Sequence, residues 1–224
     1  MFAFGLVTGL ALALLLNNFT GISLASGGSG RTPIKVADTL VPTPGTAPTA
    51  GPLAEVQANE HIKGDLKKAK VLVVEYSDFQ CPFCASHHPS LQQMVDDYGT
   101  DVAWVYRHFP LTSIHPQAVP SALASECASE QGKFWEYADE LVANQSKLGD
   151  AYYTELAADL NLNAKKFSDC YTSKKYQSVV DGDVDSGSVA GVNGTPATFI
   201  NGQLVSGAVP YSTLKQMIDA ELAK

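Results

Sequence analysis

Val71-Leu72-Val73-Val74-Glu75-Tyr76, followed after a short loop by Cys81-Pro82-Phe83-Cys84, is the stretch that decides how this chain is read. The first part is short, β-branched and almost continuously apolar, the pattern of a buried strand. The second opens a helical pattern from Pro82 to about Tyr98, with Leu91, Met94 and Val95 spaced for one face. Proline at the first helical position suits a backbone N–H that would have no partner there. Pro89, inside the same stretch, is expected to kink the helix. Cys-x-x-Cys by itself is ambiguous, since it is also half of many zinc sites. Its position sharpens the reading. A cysteine at a helix N-terminus faces unpaired N–H groups and the positive end of the helix dipole. Both favour the thiolate, the species that attacks disulfides. The second cysteine lies one turn further in, close enough to close a ring and better shielded. Cys81 is therefore expected to attack and Cys84 to resolve the mixed disulfide.

Working outward, Asp101 to Phe109 supplies a second strand, Val102-Ala103-Trp104-Val105-Tyr106. From about His115 to Ser186 the periodicity is helical, with pieces at Ala118–Gln131, Phe134–Ala143, Tyr152–Leu160 and Ala164–Tyr171. Ala197-Thr198-Phe199-Ile200 and Leu204-Val205-Ser206-Gly207 then flank Asn201-Gly202, a tight-hairpin signature. An amphipathic helix runs from about Tyr211 to the end. The fold class is α/β, in the order strand, redox helix, strand, helical block, hairpin, helix.

This arrangement resembles the DsbA-like branch of the thioredoxin superfamily over about residues 59–224. The resemblance implies a thioredoxin fold with a helical insertion, about 113–186, between the second strand and the proline-led hairpin. A plain thioredoxin spans that interval with far less chain. It also implies that Thr195-Pro196 is cis and sits beside the cysteines, so that Thr195, Pro196, Pro82 and Phe83 meet the substrate. On the residues alone, Pro196 could equally be a trans proline opening a strand. Glu75 matches an acid found under the active site in this family. A buried carboxylate there could relay a proton to or from Cys84; the alternative is a strand-end glutamate reaching solvent. Cys127 and Cys170 fall where some relatives carry a second, structural disulfide, and the alternative is two buried free thiols. Closing a loop of about 44 residues would stabilise by roughly 4 kcal/mol in the chain-entropy picture. His87 and His88 follow the redox pair, but so short a helical stretch cannot supply four tetrahedral ligands. They are read as helix-face residues near the redox centre, and no metal or cofactor is expected. His115-Pro116 is given a structural role.

The rest of the chain sets the compartment. Hydrophobic residues make up 45% of the 224, and the formal net charge is −8 without a basic block, which argues against nucleic acid as a partner. Phe2 to Leu16 is apolar and uncharged but spans only roughly 22 Å as a helix. Residues 1–25 are read as a membrane anchor or as a signal peptide cut after Ser23-Leu24-Ala25. Neither reading finds the usual basic flank, so a start further upstream is expected. Residues 26–58, rich in Gly, Pro, Ser and Thr, are read as a disordered tether. The expected function is a monomeric thiol–disulfide oxidoreductase outside the cytoplasm, in the periplasm or at the cell surface, forming disulfides in other proteins. Its partners would be proteins with thiols or disulfides and a redox protein that resets the pair. A reductase or isomerase is the first alternative, and a redox-inactive binding module the second.

Overall fold

The computed structural model describes residues 51–224. Residues 1–50, which include the proposed anchor or signal peptide and most of the tether, lie outside the described residues. Among the described residues, five strands form one sheet: β1 (His61–Lys63), β2 (Val71–Ser77), β3 (Val102–His108), β4 (Ala197–Ile200) and β5 (Gln203–Ser206). Their spatial order is β1-β3-β2-β4-β5. Only β2 and β3 are parallel, with Glu75 opposite Tyr106; β4 runs antiparallel to β2, with Glu75 opposite Thr198. The central strands are buried on both faces, which is why β2 and β3 read as near-continuous apolar runs. At the hairpin, Asn201 and Gly202 both take positive φ, 45° and 83°, the pair of left-handed residues that a two-residue turn of this kind requires.

Among the described residues, seven α-helices surround the sheet: α1 (Pro82–Tyr98), α2 (Ala118–Ser129), α3 (Phe134–Ala143), α4 (Asp150–Asp159), α5 (Ala164–Thr172), α6 (Gln177–Val189) and α7 (Tyr211–Leu222). Alternation along the strands divides the core. Val73, Trp104 and Tyr106 face α1, α3, α7 and the rest of the helical block, packing with Leu91, Tyr137, Leu141, Leu214 and Ile218. Val74, Tyr76, Val105 and Phe199 face the other way, toward α6 and the segment that precedes β1. This is a thioredoxin-like α/β fold with the helical block inserted between β3 and β4.

Three features depart from the expectations. Strand β1 was not anticipated; three residues carry no periodicity, and pairing with β3 alone defines them. Helix α6 carries the helical block to Val189, past the expected end near 186. Residues 51–58 are not free tether. Gly51 N–H donates to Val189 O, Leu53 and Val56 pack on the second core, and Arg107 donates to the carbonyls of Ala54 and Glu55. An arginine buried under these carbonyls holds a segment too polar to hold itself. Helix α1 continues without a break through Pro89.

Candidate active site

Strand β2 ends at Ser77, and the chain then turns through Asp78-Phe79-Gln80 into α1. This loop is pinned from the helical block. The buried Asp78 carboxylate accepts from the Gln80 and Leu111 N–H groups and from His115 Nδ1 at 2.7 Å. Gln145 Nε2 donates to the carbonyls of Phe79 and Cys81. His115 thus has the structural role expected of it. Gln145 was not foreseen, because nothing in its local sequence connects it to the redox loop.

Cys81 is the N-cap of α1, with extended φ and ψ of −73° and 120°. Cys84 lies one turn in, and its sulfur accepts from Asp78 N–H at 3.5 Å. Both are free thiols in this structure. The Cys81 thiol is held well below the ordinary range, at about 5. The largest cause is a hydrogen bond from the Cys84 thiol, opposed by burial and reinforced by Thr195 and by the N–H groups of Cys84 and Phe83. Those two N–H groups point toward the sulfur at the helix start without meeting full hydrogen-bond geometry to the thiol. The Cys84 thiol is pushed up, first by burial, then by its bond to Cys81 and the charge of Glu75. One thiolate is favoured, and it is Cys81.

The geometry corrects one expectation. Cys81 is not openly exposed: only 3% of its surface is accessible, against 1% for Cys84. The asymmetry lies in electrostatics and depth below the surface. Pro82 and Phe83 are exposed beside Cys81, Phe83 at 66%.

The bond from Thr195 to Pro196 is cis. The Thr195 carbonyl lies 3.4 Å from Cys81 Sγ, where it can accept from the thiol. The Thr195 hydroxyl is buried, has no other partner among the described residues, and lies where it favours the Cys81 thiolate. Pro196 is buried behind it. Thr195, Pro196, Cys81 and Cys84 therefore form one site.

Glu75 is fully buried, which excludes the solvent-reaching alternative, and neither carboxylate oxygen has a hydrogen-bond partner among the described residues. It lies under α1, close enough for its charge to act on Cys84, His87 and Tyr106. His87 lies on the buried face of α1. It is bonded through Nε2 to Thr198 Oγ1 at 3.1 Å, and its Nδ1 accepts from Val209 N–H. Burial lowers its pKa, so the ring is neutral. His88 is also buried, and its Nε2 donates to Asp139 at 2.8 Å. Neither histidine converges on the cysteines as a metal set.

Cys127 in α2 and Cys170 in α5 are joined in a disulfide across 43 residues, with Cα atoms 5.8 Å apart. It ties two helices of the insertion, away from the redox pair.

A family model described as thioredoxin matches residues 57–220. A Na(+)/H(+) antiporter NhaA 3 of Salinispora tropica is 39% identical over 153 residues, 68% of this chain and 23% of that protein. A second, NhaA 1 of Salinispora arenicola, is 35% identical over 73% of this chain and 25% of its own length. The chain thus spans about a quarter of the curated relatives it matches. Among solved structures, oxidised BdbD from Bacillus subtilis superposes with a TM-score of 0.69 at 19% identity, covering 78% of this chain and 98% of that one. The thiol-disulfide exchange protein alpha-DsbA2 from Wolbachia pipientis gives 0.65 at 16% identity over 73% and 87%. The redox loop, the helical insertion and the proline-led hairpin agree with these matches: the chain belongs to the thioredoxin family and has the DsbA-like form of its fold.

Proposed function

We propose that this protein oxidises pairs of thiols in other proteins, outside the cytoplasm, by passing on the Cys81–Cys84 disulfide. One observation carries the direction: Cys81 is stabilised as a thiolate while Cys84 is not. A favoured thiolate stabilises the reduced form, and a stable reduced form makes its disulfide a strong oxidant.

The chemistry follows from the two environments. A client thiolate attacks Cys81 Sγ of the disulfide, forming a client–Cys81 bond and breaking the Cys81–Cys84 bond. Cys84 leaves as a thiolate and takes a proton, and we assign the relay of that proton to Glu75, whose buried carboxylate lies close enough for its charge to act on Cys84. A second client thiolate attacks the client sulfur of the mixed disulfide, and Cys81 departs as its preferred thiolate. Two client thiols lose two electrons, and the pair gains them. A redox partner then removes those electrons and resets the disulfide. The client's backbone would lie along Thr195, as an added extended strand, with Pro82 and Phe83 offering exposed apolar surface.

The Cys127–Cys170 disulfide supports an oxidising compartment. Among the described residues no helix is long and apolar enough to cross a membrane. We assign attachment or export to residues 1–25 and a tether to residues 26–50, and we take the working unit to be a monomer. The antiporters' transport activity belongs to proteins of which this chain matches a quarter, and it is not part of this proposal. The test is transfer of the disulfide from stoichiometric oxidised protein to a reduced, unfolded client. Rapid client oxidation supports the oxidant reading. Disulfide reduction by the reduced protein, with no oxidation in the forward assay, would favour the reductase. Activity in neither direction would leave a binding module.

A further inference from the structure

We infer that His61, His108 and Glu126 form a binding site for a zinc-like divalent cation, apart from the redox centre and tying strand β1 to helix α2. Three elements bring the residues together: β1 supplies His61, the end of β3 supplies His108, and α2 supplies Glu126. His61 Nε2 lies 2.6 Å and His108 Nε2 lies 2.9 Å from the same oxygen, Glu126 Oε1. The three ligand atoms all fall within 4.8 Å of one another. Cation–ligand distances near 2.0–2.2 Å at tetrahedral angles set ligand atoms roughly 3.3–3.6 Å apart, so the two nitrogens would move off Glu126 Oε1 by about 0.4–1 Å.

The rings are held in place before any ion arrives. His61 stacks on Phe134 at a centroid distance of 3.5 Å with the planes 1° apart. His108 is packed edge-on against Phe79, Tyr106 and Phe134. His108 and Glu126 are almost wholly buried, and His61 is partly accessible. A cavity of about 260 Å³ opens onto His61 and Glu126 and is also lined by Glu60, Glu130 and Asp183. Asp183 accepts from His108 N–H and lines this cavity beside the ligand cluster, while Glu60 is paired with Arg107 and Glu130 with Lys175, which leaves Glu126 as the carboxylate that faces both imidazoles. Three protein ligands with room for water on the open side is a zinc-type arrangement. Two imidazole nitrogens select a borderline metal over calcium or magnesium, which prefer oxygen. Metal-free, the same atoms form hydrogen bonds, so the site is satisfied in both states.

The test must keep zinc off the thiols. The oxidised full chain has Cys81 and Cys84 in a disulfide, which leaves no free thiolate. Zn2+ is titrated calorimetrically into this form, alongside His61→Gln and Glu126→Gln, with Asp169→Asn as a surface control. One saturable equivalent is expected for wild type and the control, unaffected by excess Ca2+. Each ligand variant should weaken affinity by at least the roughly 10–100-fold that losing an outer-shell partner costs. Co2+ bound in place of zinc should show ligand-field bands and no thiolate charge-transfer band. Absence of saturable binding, retention of wild-type affinity by a folded ligand variant, or displacement by Ca2+ would each overturn the site. Far-UV circular dichroism establishes folding. If Glu126→Gln does not fold, His61→Gln at the partly accessible ligand decides alone.

Discussion

At the scale of single residues, the functional asymmetry is between two sulfurs one helical turn apart. Alkylation of the reduced protein should report Cys81 alone, with a rate that follows its thiolate and a midpoint near pH 5, measured by mass mapping of the modified residue. Faster labelling of Cys84 would reverse the assigned roles. Replacing Cys84 by Ser should leave mixed disulfides with clients trapped on Cys81, visible as adducts on non-reducing gels, whereas Cys81→Ser should form none. Thr195→Val keeps the shape and removes a hydroxyl that favours the thiolate. The alkylation midpoint should rise by about one unit, since a hydrogen bond to a charged group is worth about 1.5 kcal/mol. The pH dependence of stability has a definite sign. The folded value of Cys81 is depressed from 9.0 to about 5, so its contribution to the reduced protein is complete above pH 9 and lost below 5. The stability of the reduced form against denaturant should therefore fall relative to that of the oxidised form as the pH falls between those values. The cysteine pair was legible in the sequence because a strand end, a proline and a helical pattern fix where a Cys-x-x-Cys sits. The burial of Cys81, and the bonds of His87 and Gln145, were not. They depend on chain 64 to 122 residues away, which no local pattern reveals.

Among the elements, β1 and α6 were missed, while the other helices of the insertion were read close to their observed bounds. α3 was read at its observed bounds, because Phe134, Tyr137, Ala138 and Leu141 mark one buried stripe. α6 was not singled out. Its buried residues are Val180 and Gly187, and its polar, glycine-containing sequence carries little stripe. Gly187 explains itself in three dimensions: a Cβ there would lie 2.9 Å from the rings of Phe109 and Tyr76, so glycine lets α6 approach the sheet. The disulfide between α2 and α5 has its own consequence. Replacing Cys127 and Cys170 together by Ala should lower stability by about 4 kcal/mol in denaturant titration, the chain-entropy value for such a loop. Client oxidation by the folded variant should continue, since the redox pair lies elsewhere. A loss below about 1 kcal/mol would mean the helices hold each other without the bond.

For the whole molecule, the domain begins earlier than its composition suggests. Arg107 is the reason: its guanidinium is buried and bonds Glu60, the Tyr76 hydroxyl and the carbonyls of Ala54 and Glu55. Arg107→Met should cost about 3 kcal/mol, toward the low end for a broken buried pair because Glu60 keeps 19% of its side chain in water. It should also open residues 51–58 to proteolysis, read by limited digestion. An unchanged digestion pattern would mean that Leu53 and Val56 alone hold the segment. A compositional boundary missed this because Gly51-Pro52 continues the glycine- and proline-punctuated pattern before it, and the few apolar residues that follow, Leu53 and Val56, set no period.

The central claim is that the Cys81 thiolate makes this pair an oxidant, and the reduction potential measured against glutathione as a function of pH tests it most directly. With one thiolate and one thiol in the reduced state, the potential should fall by about 30 mV per pH unit between about pH 6 and 8. A Cys81 value near 5, against about 7 for thioredoxin, should place it about 50 mV above thioredoxin's roughly −270 mV at pH 7. A slope near 59 mV per unit, the mark of two protonated thiols, or a potential at or below thioredoxin's, would contradict the account.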